Sequence, residues 1–389
     1  MTILEMFERE DIYKILEETL KEYYQKVQKK NVDVKVKKKH FFQKIVVYPR
    51  LGIVVSVLPS WDVIKATYVW FDVQNNLPKK LFAWIYITLC FLSFGLLADA
   101  SIELSDMSLF TRNTLFMPSN RKIRIYDYKK GYVDSILKVG FHDNYFKNEI
   151  KYRTNPQFDY ILPVEECGDR WYREKLLRGR CLVRVSDGDY EKYLQDVVTD
   201  LRMMYARTNS SVLVADYISG MVNKYTPILN CIVREKHITC AEKIYQVMDW
   251  CKKVANTTDM RVSIAMTHGD LQTGNIYIDE ENDKAYIIDW ETAKKRSIWY
   301  DAATVMCSTR RKDKFSYMIN HCDEEAVKGK ILTFDNNPQC NMDVVRAVLL
   351  MEEMGFFLEE IVDLPRDMGS EIIERYEYEI DHIVCLREE

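Results

Sequence analysis

THGDLQTGNI, residues 267–276, and AYIIDWE, residues 285–291, set an aspartate, an asparagine and a second aspartate at fixed intervals. Asp270 follows His268 and Gly269 in a short loop after the apolar run SIAM (263–266), and Gly269 permits a tight path there. Asn275 lies just before IYID, and Asp289 ends the apolar stretch AYII. IYID and AYIID read as a hairpin turning at Glu280–Asp283, which lets Asn275 and Asp289 approach one another. Taken singly, each of the three is an ordinary turn residue. Together they match the needs of phosphoryl transfer to an alcohol, where the transition state is loose and the protein supplies positioning and charge neutralisation. Asp270 suits the carboxylate that orients the alcohol and takes its proton. Asn275 and Asp289 offer oxygen donors of the kind that hard Mg²⁺ prefers. An acid at the end of an apolar strand is also expensive to bury without a cation.

The joint pattern H-G-D-x-x-x-x-N, with I-D-W-E beyond it, resembles the aminoglycoside phosphotransferase and choline kinase superfamily, small-molecule relatives of protein kinases. The resemblance spans roughly residues 110–310. It implies an α+β, two-lobed protein-kinase-like fold, with a small antiparallel β lobe before a larger helical lobe. It implies ATP as donor, Asp270 as catalytic base, Asn275 and Asp289 as Mg²⁺ ligands, and His268 as a brace for the loop. WYDAAT (299–304) is similar to the family's Y-D-L-A segment, in which Asp301 would tie down the catalytic loop. Gly269 replaces the Arg of H-R-D, and no A-P-E follows Asp289. Both departures point away from a protein kinase and toward a small-molecule or saccharide acceptor.

Working outward, TLFMP, KIRIYDY and YVDSILKVG (114–140) read as an antiparallel meander, and HDNYFKNEIKYR (142–153) as a helix with Asp143 as its N-cap. Strand alternation sets Lys138 opposite the more apolar face of its strand, and Glu149 shares a helical stripe with Phe146 and Ile150. By periodicity alone both are ordinary solvated charges; the resemblance makes them the lysine that grips phosphate and the glutamate that holds it. The turn MPSNRK (117–122) has no glycine, so Ser119 and Asn120 are the candidates for covering phosphate, with a plain polar turn as the competing reading. Resemblance sets the adenine against the hinge at Glu174–Leu177. Helices are expected at 188–206, 211–229, 239–255, 342–361 and 366–386, and the acceptor pocket among them. The acid-rich C-terminal segment reads as amphipathic surface helix.

The 389 residues suffice for two or three domains. The division expected is 1–110, an extension of unassigned role; 111–180, a β-rich nucleotide lobe; and 181–389, a helical catalytic lobe. A formal net charge of −4 excludes the strongly basic footprint of a nucleic-acid binder. The ten cysteines contain no C-x-x-C pair and read as buried thiols of a reducing cytosol. MTILEMFEREDIYKILEETL is charged from the start and does not read as a secretory leader. A helix is expected over 7–30, and strands over IVVY (45–48) and GIVVSVL (52–58). Two stretches leave membrane contact open. The lysine-rich 29–40 reads as a solvated edge or as a contact for anionic phosphates. LFAWIYITLCFLSFGLLA (81–98) has no charge and reads as a buried helix or strand pair, with contact with a membrane as the alternative. The expectation is thus a cytoplasmic small-molecule kinase. The alternatives are a membrane-associated kinase of a surface polysaccharide or lipid-linked glycan, and a nucleotide-binding scaffold without transfer.

Overall fold

A computed structural model of the chain describes residues 6, 10–38, 43–72, 77–234, 238–335, 340–363 and 370–386. The chain divides into two units, Met1–Tyr193 with Tyr277–Ile288, and Leu194–Ile276 with Asp289–Glu389.

The first unit is built on nine antiparallel strands: β1 (Val34–Lys38), β2 (Ile45–Tyr48), β3 (Ile53–Ser56), β4 (Ala100–Leu104), β5 (Thr114–Pro118), β6 (Lys122–Asp127), β7 (Tyr132–Leu137), β8 (Val164–Cys167) and β9 (Trp171–Lys175). Their order across the sheet is β1-β4-β2-β3-β5-β6-β7-β9-β8. Both faces are covered, which explains why IVVY is apolar at every position. Ile45 and Val47 pack with Leu16, Leu20 and Tyr23 of α1 (Ile12–Lys26). Val46 and Tyr48 face the other way, toward Val63 of α2 (Trp61–Trp70) and Ile87 and Cys90 of α3 (Leu77–Leu92). The region expected as a separate extension therefore contributes β1–β4 to the sheet that also carries the meander, and Val54 of β3 pairs with Phe116 of β5. Of the helix expected over 7–30, residues 7–9 lie outside the described residues.

The basic run becomes edge strand β1, where charged side chains discourage pairing with another chain. Lys30 pairs with Asp106 and Lys37 with Glu103; Lys39 and His40 lie outside the described residues. The apolar stretch forms α3, but the reading of it as buried is corrected: Ile87 and Cys90 are the buried residues of this helix. No helix among the described residues is long and apolar enough to cross a membrane. After β7 come α4 (Asn144–Arg153), with Asp143 at its N-cap position but making no side-chain capping bond, and β10 (Gly179–Cys181). β10 pairs with β13 (Ile276–Asp279), which neighbours β14 (Lys284–Ile287). At Gly179 a Cβ would fall 1.8 Å from the Ile278 carbonyl oxygen, so this crossing demands glycine.

The second unit is mainly helical. It takes most of α5 (Asp187–Thr208), then α6 (Val214–Arg234), α7 (Ile238–Ala255), α8 (Ile298–Cys307), α9 (Lys314–Asn320), α10 (Glu325–Ile331), α11 (Met342–Asp363) and α12 (Ser370–Asp381). The helix expected from 211 starts instead at Val214, because Ser210–Leu213 form β11 against β12 (Arg261–Thr267). β12 pairs on its other side with β15 (Lys294–Ser297). Of the helix expected over 366–386, residues 366–369 lie outside the described residues. α11 is buried along nearly all of its length and carries Glu352 and Glu353 into the interior. The α+β class holds, with a β-rich unit and a helical unit as a protein-kinase-like chain requires.

Candidate active site

The decisive loop leaves β12 at Thr267. Asp301, on α8, is fully buried and accepts hydrogen bonds from the backbone N–H of His268 (2.7 Å) and Gly269 (2.8 Å), and from the Tyr205 hydroxyl (2.8 Å). This is the tie expected of Asp301. Gly269 has φ +86°, and a Cβ there would lie 2.2 Å from Arg296 Nη1 and 2.8 Å from the Thr292 carbonyl. Left-handed backbone and close packing both require glycine at that position. The buried His268 ring packs edge-on against Trp290, its centroid 4.8 Å away, and its Nδ1 accepts from the Asp270 N–H at 3.2 Å. Thr292 Oγ1 donates to the His268 carbonyl at 2.9 Å. His268 thus braces the loop.

Asp270 projects from this braced backbone. Gln272 Nε2 donates to both its carboxylate oxygens, at 3.0 and 3.2 Å. Asn275 Nδ2 donates to Asp270 Oδ2 at 3.2 Å and to its carbonyl at 2.8 Å. Arg310 Nε donates to Oδ1 at 3.0 Å, while its Nη2 donates to the Gly269 carbonyl and the Tyr300 hydroxyl, at 3.0 and 2.7 Å. Arg310 is in turn held by Glu353 Oε1 at 2.5 Å and lies 3.8 Å from the centre of the Phe356 ring. Glu353 accepts from the Tyr300 and Tyr376 hydroxyls as well. Donors therefore surround the Asp270 carboxylate, yet the side chain keeps 26% of its surface open. An anionic acid held in one orientation beside an opening is what a proton acceptor for an incoming hydroxyl needs. The sequence reading missed Arg310, because STRRKDK looks like a solvated basic run, and missed Glu353, because the acid-rich segment that begins at Glu352 reads as a surface helix, a reading corrected by the burial of α11 along nearly all of its length.

Asn275 and Asp289 belong to the same unit as Asp270. Both Nδ2 hydrogen bonds of Asn275 go to Asp270, which leaves its Oδ1 as an oxygen that accepts from no group among the described residues. Asp289 is half-buried and takes a left-handed backbone (φ 66°) between β14 and the turn Trp290–Thr292. A non-glycine residue in that conformation is uncommon and marks a constrained site. A neutral amide oxygen and a carboxylate are each the kind of oxygen donor that Mg²⁺ prefers.

The first unit corrects part of the sequence reading. Glu149 is met by Lys122 of β6 at 2.5 Å. Arg153 Nη1 (2.8 Å) and the Tyr172 hydroxyl (2.9 Å) also reach it. Lys138, fully buried, is held by Glu10 at 2.6 Å and donates to the Asn120 carbonyl at 3.2 Å. Its strand ends one residue earlier, so Lys138 turns toward the segment ahead of α1, which carries Glu10. Ser119 folds back on its own turn, its N–H and Oγ both donating to the Lys122 carbonyl at 2.8 Å. Glu174 lies inside β9, paired in register with Val133 and Val164, and its carboxylate engages Arg153. Glu174 is thus a strand residue, and β9 ends one residue later, at Lys175.

The second unit also contains a cavity of about 380 Å³ lined by α6, β15 and α11. Lys224, Lys294, Lys295 and Arg296 face it, against Asp216 and Glu352. Burial pushes the Glu352 carboxyl up to about 7, although Ser297 and Tyr217 donate hydrogen bonds to it. Arg296 is 2% exposed, and its Nε has no hydrogen-bond partner among the described residues.

Residues 233–320 match the model of the phosphotransferase enzyme family. No curated protein matches the chain. Among solved structures, a thermostable mutant of aminoglycoside phosphotransferase APH(4)-Ia is similar at 14% identity, over 69% of this chain and 94% of that one, with a TM-score of 0.45. An ethanolamine kinase from Plasmodium vivax is similar at 14% identity, over 84% and 95%, with a TM-score of 0.44. The choline kinase LicA from Streptococcus pneumoniae is similar at 10% identity, over 70% and 90%, with a TM-score of 0.40. The resemblance read from H-G-D-x-x-x-x-N and I-D-W-E thus falls where the family model matches.

Proposed function

We propose, for a chain whose catalytic-loop segment is that of the phosphotransferase enzyme family, that it transfers the γ-phosphoryl group of ATP to a hydroxyl of a small molecule or saccharide. The acceptor oxygen forms a bond to the γ-phosphorus, the bond from that phosphorus to the β–γ bridging oxygen breaks, ADP leaves, and the hydroxyl proton passes to Asp270. The supporting observation is the Asp270 carboxylate, fixed by Gln272, Asn275 and Arg310 on a backbone tied to Asp301, and still partly open. Mg²⁺, when bound, would neutralise charge on the phosphates, and Asn275 Oδ1 and Asp289 are its proposed ligands.

The acceptor is proposed to enter the cavity beside β15, whose lining carries charges of both signs, with Lys224 and Lys294 already paired with Glu359.

Asp270→Asn tests the reading. Labelled ATP is incubated with a panel of alcohols and saccharides. Wild type should label an acceptor, whereas the variant should fold, retain stabilisation by Mg-ATP and transfer about 10²- to 10⁴-fold more slowly. A D270N variant that transfers at the wild-type rate defeats the mechanism. Mg-ATP binding by wild type without transfer to any acceptor would make the chain a nucleotide-binding scaffold.

A further inference from the structure

We propose that the first unit docks on an anionic lipid surface through α3 and the turn that follows it, lying on the bilayer without crossing it. The inference does not rest on the transfer reaction.

Soluble surfaces scatter single apolar side chains, and a contiguous apolar patch marks a contact. In α3, Leu81, Phe82, Ile85, Leu89 and Leu92 are all exposed, Phe82 by 74% and Leu92 by 66%. The patch continues past the helix through Phe94, Leu96 and Leu97, which also project into solvent. The helix is not loose. Its opposite side holds Ile87 and Cys90 in the core, and Tyr48 donates to the Cys90 carbonyl at 2.7 Å. Tyr68 and Thr88 join hydroxyls at 2.6 Å, which ties α2 to α3. The apolar side is thus presented by a fixed element.

Two features favour lipid over a second protein copy. At 100° per residue the exposed apolar positions of α3, with Leu77 and Trp84 beside the five named, cover an arc of about 160°, wider than the stripe of about 100° that packs a helix on a protein core. A bilayer interface accepts such an arc, and a helix of this type lies in its plane. The charges agree as well. No Asp or Glu occurs between Asp72 and Asp99. Exposed Lys79 stands at the start of α3, Lys65 is exposed on α2, and exposed Arg50 lies close enough to influence Tyr86 of α3, where Asp99 has the weaker, opposite effect. An apolar surface bordered by cations complements anionic headgroups.

The full chain is sedimented with phosphatidylcholine vesicles, with and without phosphatidylserine. Binding is expected to both, stronger with phosphatidylserine, and the increment should vanish at high salt. The double variant Phe82→Glu, Leu89→Glu replaces two exposed side chains, so the fold should persist, as checked by circular dichroism. Its vesicle binding should fall by more than about tenfold. Wild type that stays in the supernatant with every vesicle overturns the proposal. So does a wild-type dimer, seen by analytical ultracentrifugation and abolished by the double variant, since the patch would then be an interface between copies. Transfer to a soluble acceptor should survive in the variant, so failure of docking and failure of the transferase reading are told apart.

Discussion

Each unit buries a network of ions, and the two networks differ in how they end. In the first unit, Glu149 takes Lys122, Arg153 and the Tyr172 hydroxyl, Arg153 reaches on to Glu174, and Lys122, Glu149, Arg153 and Tyr172 are almost wholly enclosed. In the second, Arg310 and Glu353 are enclosed, but the chain of contacts ends on Asp270, which reaches an opening. A closed set of buried charges costs about as much to desolvate as it returns, so its clearest effect is to forbid other arrangements of the strands and helix it joins. An open-ended set instead directs its rigidity to the orientation of one terminal group. Removing a member of the first should therefore be felt mainly in stability, and removing a member of the second mainly in rate.

The largest contrast is expected at the terminal group. Asp270→Asn should lower kcat by about 10²- to 10⁴-fold with little change in thermal unfolding, measured on the same preparation. Glu149→Ala should do the opposite to the first unit. Two buried cations lose a shared carboxylate, and denaturant titration should show a loss of about 3–5 kcal/mol. Unfolding like wild type would mean that Glu149 is not the centre of its network. Arg310→Lys is a finer probe, because a lysine cannot reproduce a fork that reaches Asp270, Gly269, Tyr300 and Glu353 at once. A rate loss of about 10²-fold is expected, with KM nearly unchanged. The smallest effect is a pH slope. Burial raises Glu352 from 4.5 to about 7, so the folded state binds its proton more tightly than the unfolded chain. Its contribution is fully present below pH 4.5 and is lost as pH rises through 7. Melting temperature should decline over that window, and Glu352→Gln should flatten the decline.

What could be read beforehand follows from the range of the interactions. β2, β3 and the meander were legible because short apolar runs and the Pro49–Gly52 turn are local signals, and the loop at 267–276 was legible because its spacing is local too. Asp301 was placed by resemblance, and its two bonds to the loop backbone agree. The lysine partner of Glu149 was not legible. Lys122 and Lys138 both border strands of the meander, and the choice depends on Glu10, more than a hundred residues away, already holding Lys138. Arg310 was hidden in the same way, since its carboxylates lie in another loop and another helix. The exposure of α3 was unreadable because an uncharged helical run looks alike whether protein or lipid covers it.

The sheet of the first unit has no seam between β3 and β5, and that bears on how the chain can be shortened. A version starting at residue 111 would strip β5 of its neighbour and bare a row of backbone donors and acceptors beside Leu115 and Phe116, a template for fibrous self-association. The same cut would abandon Lys138 in an apolar interior without Glu10. The first hundred residues are therefore a wall of the house and not a porch.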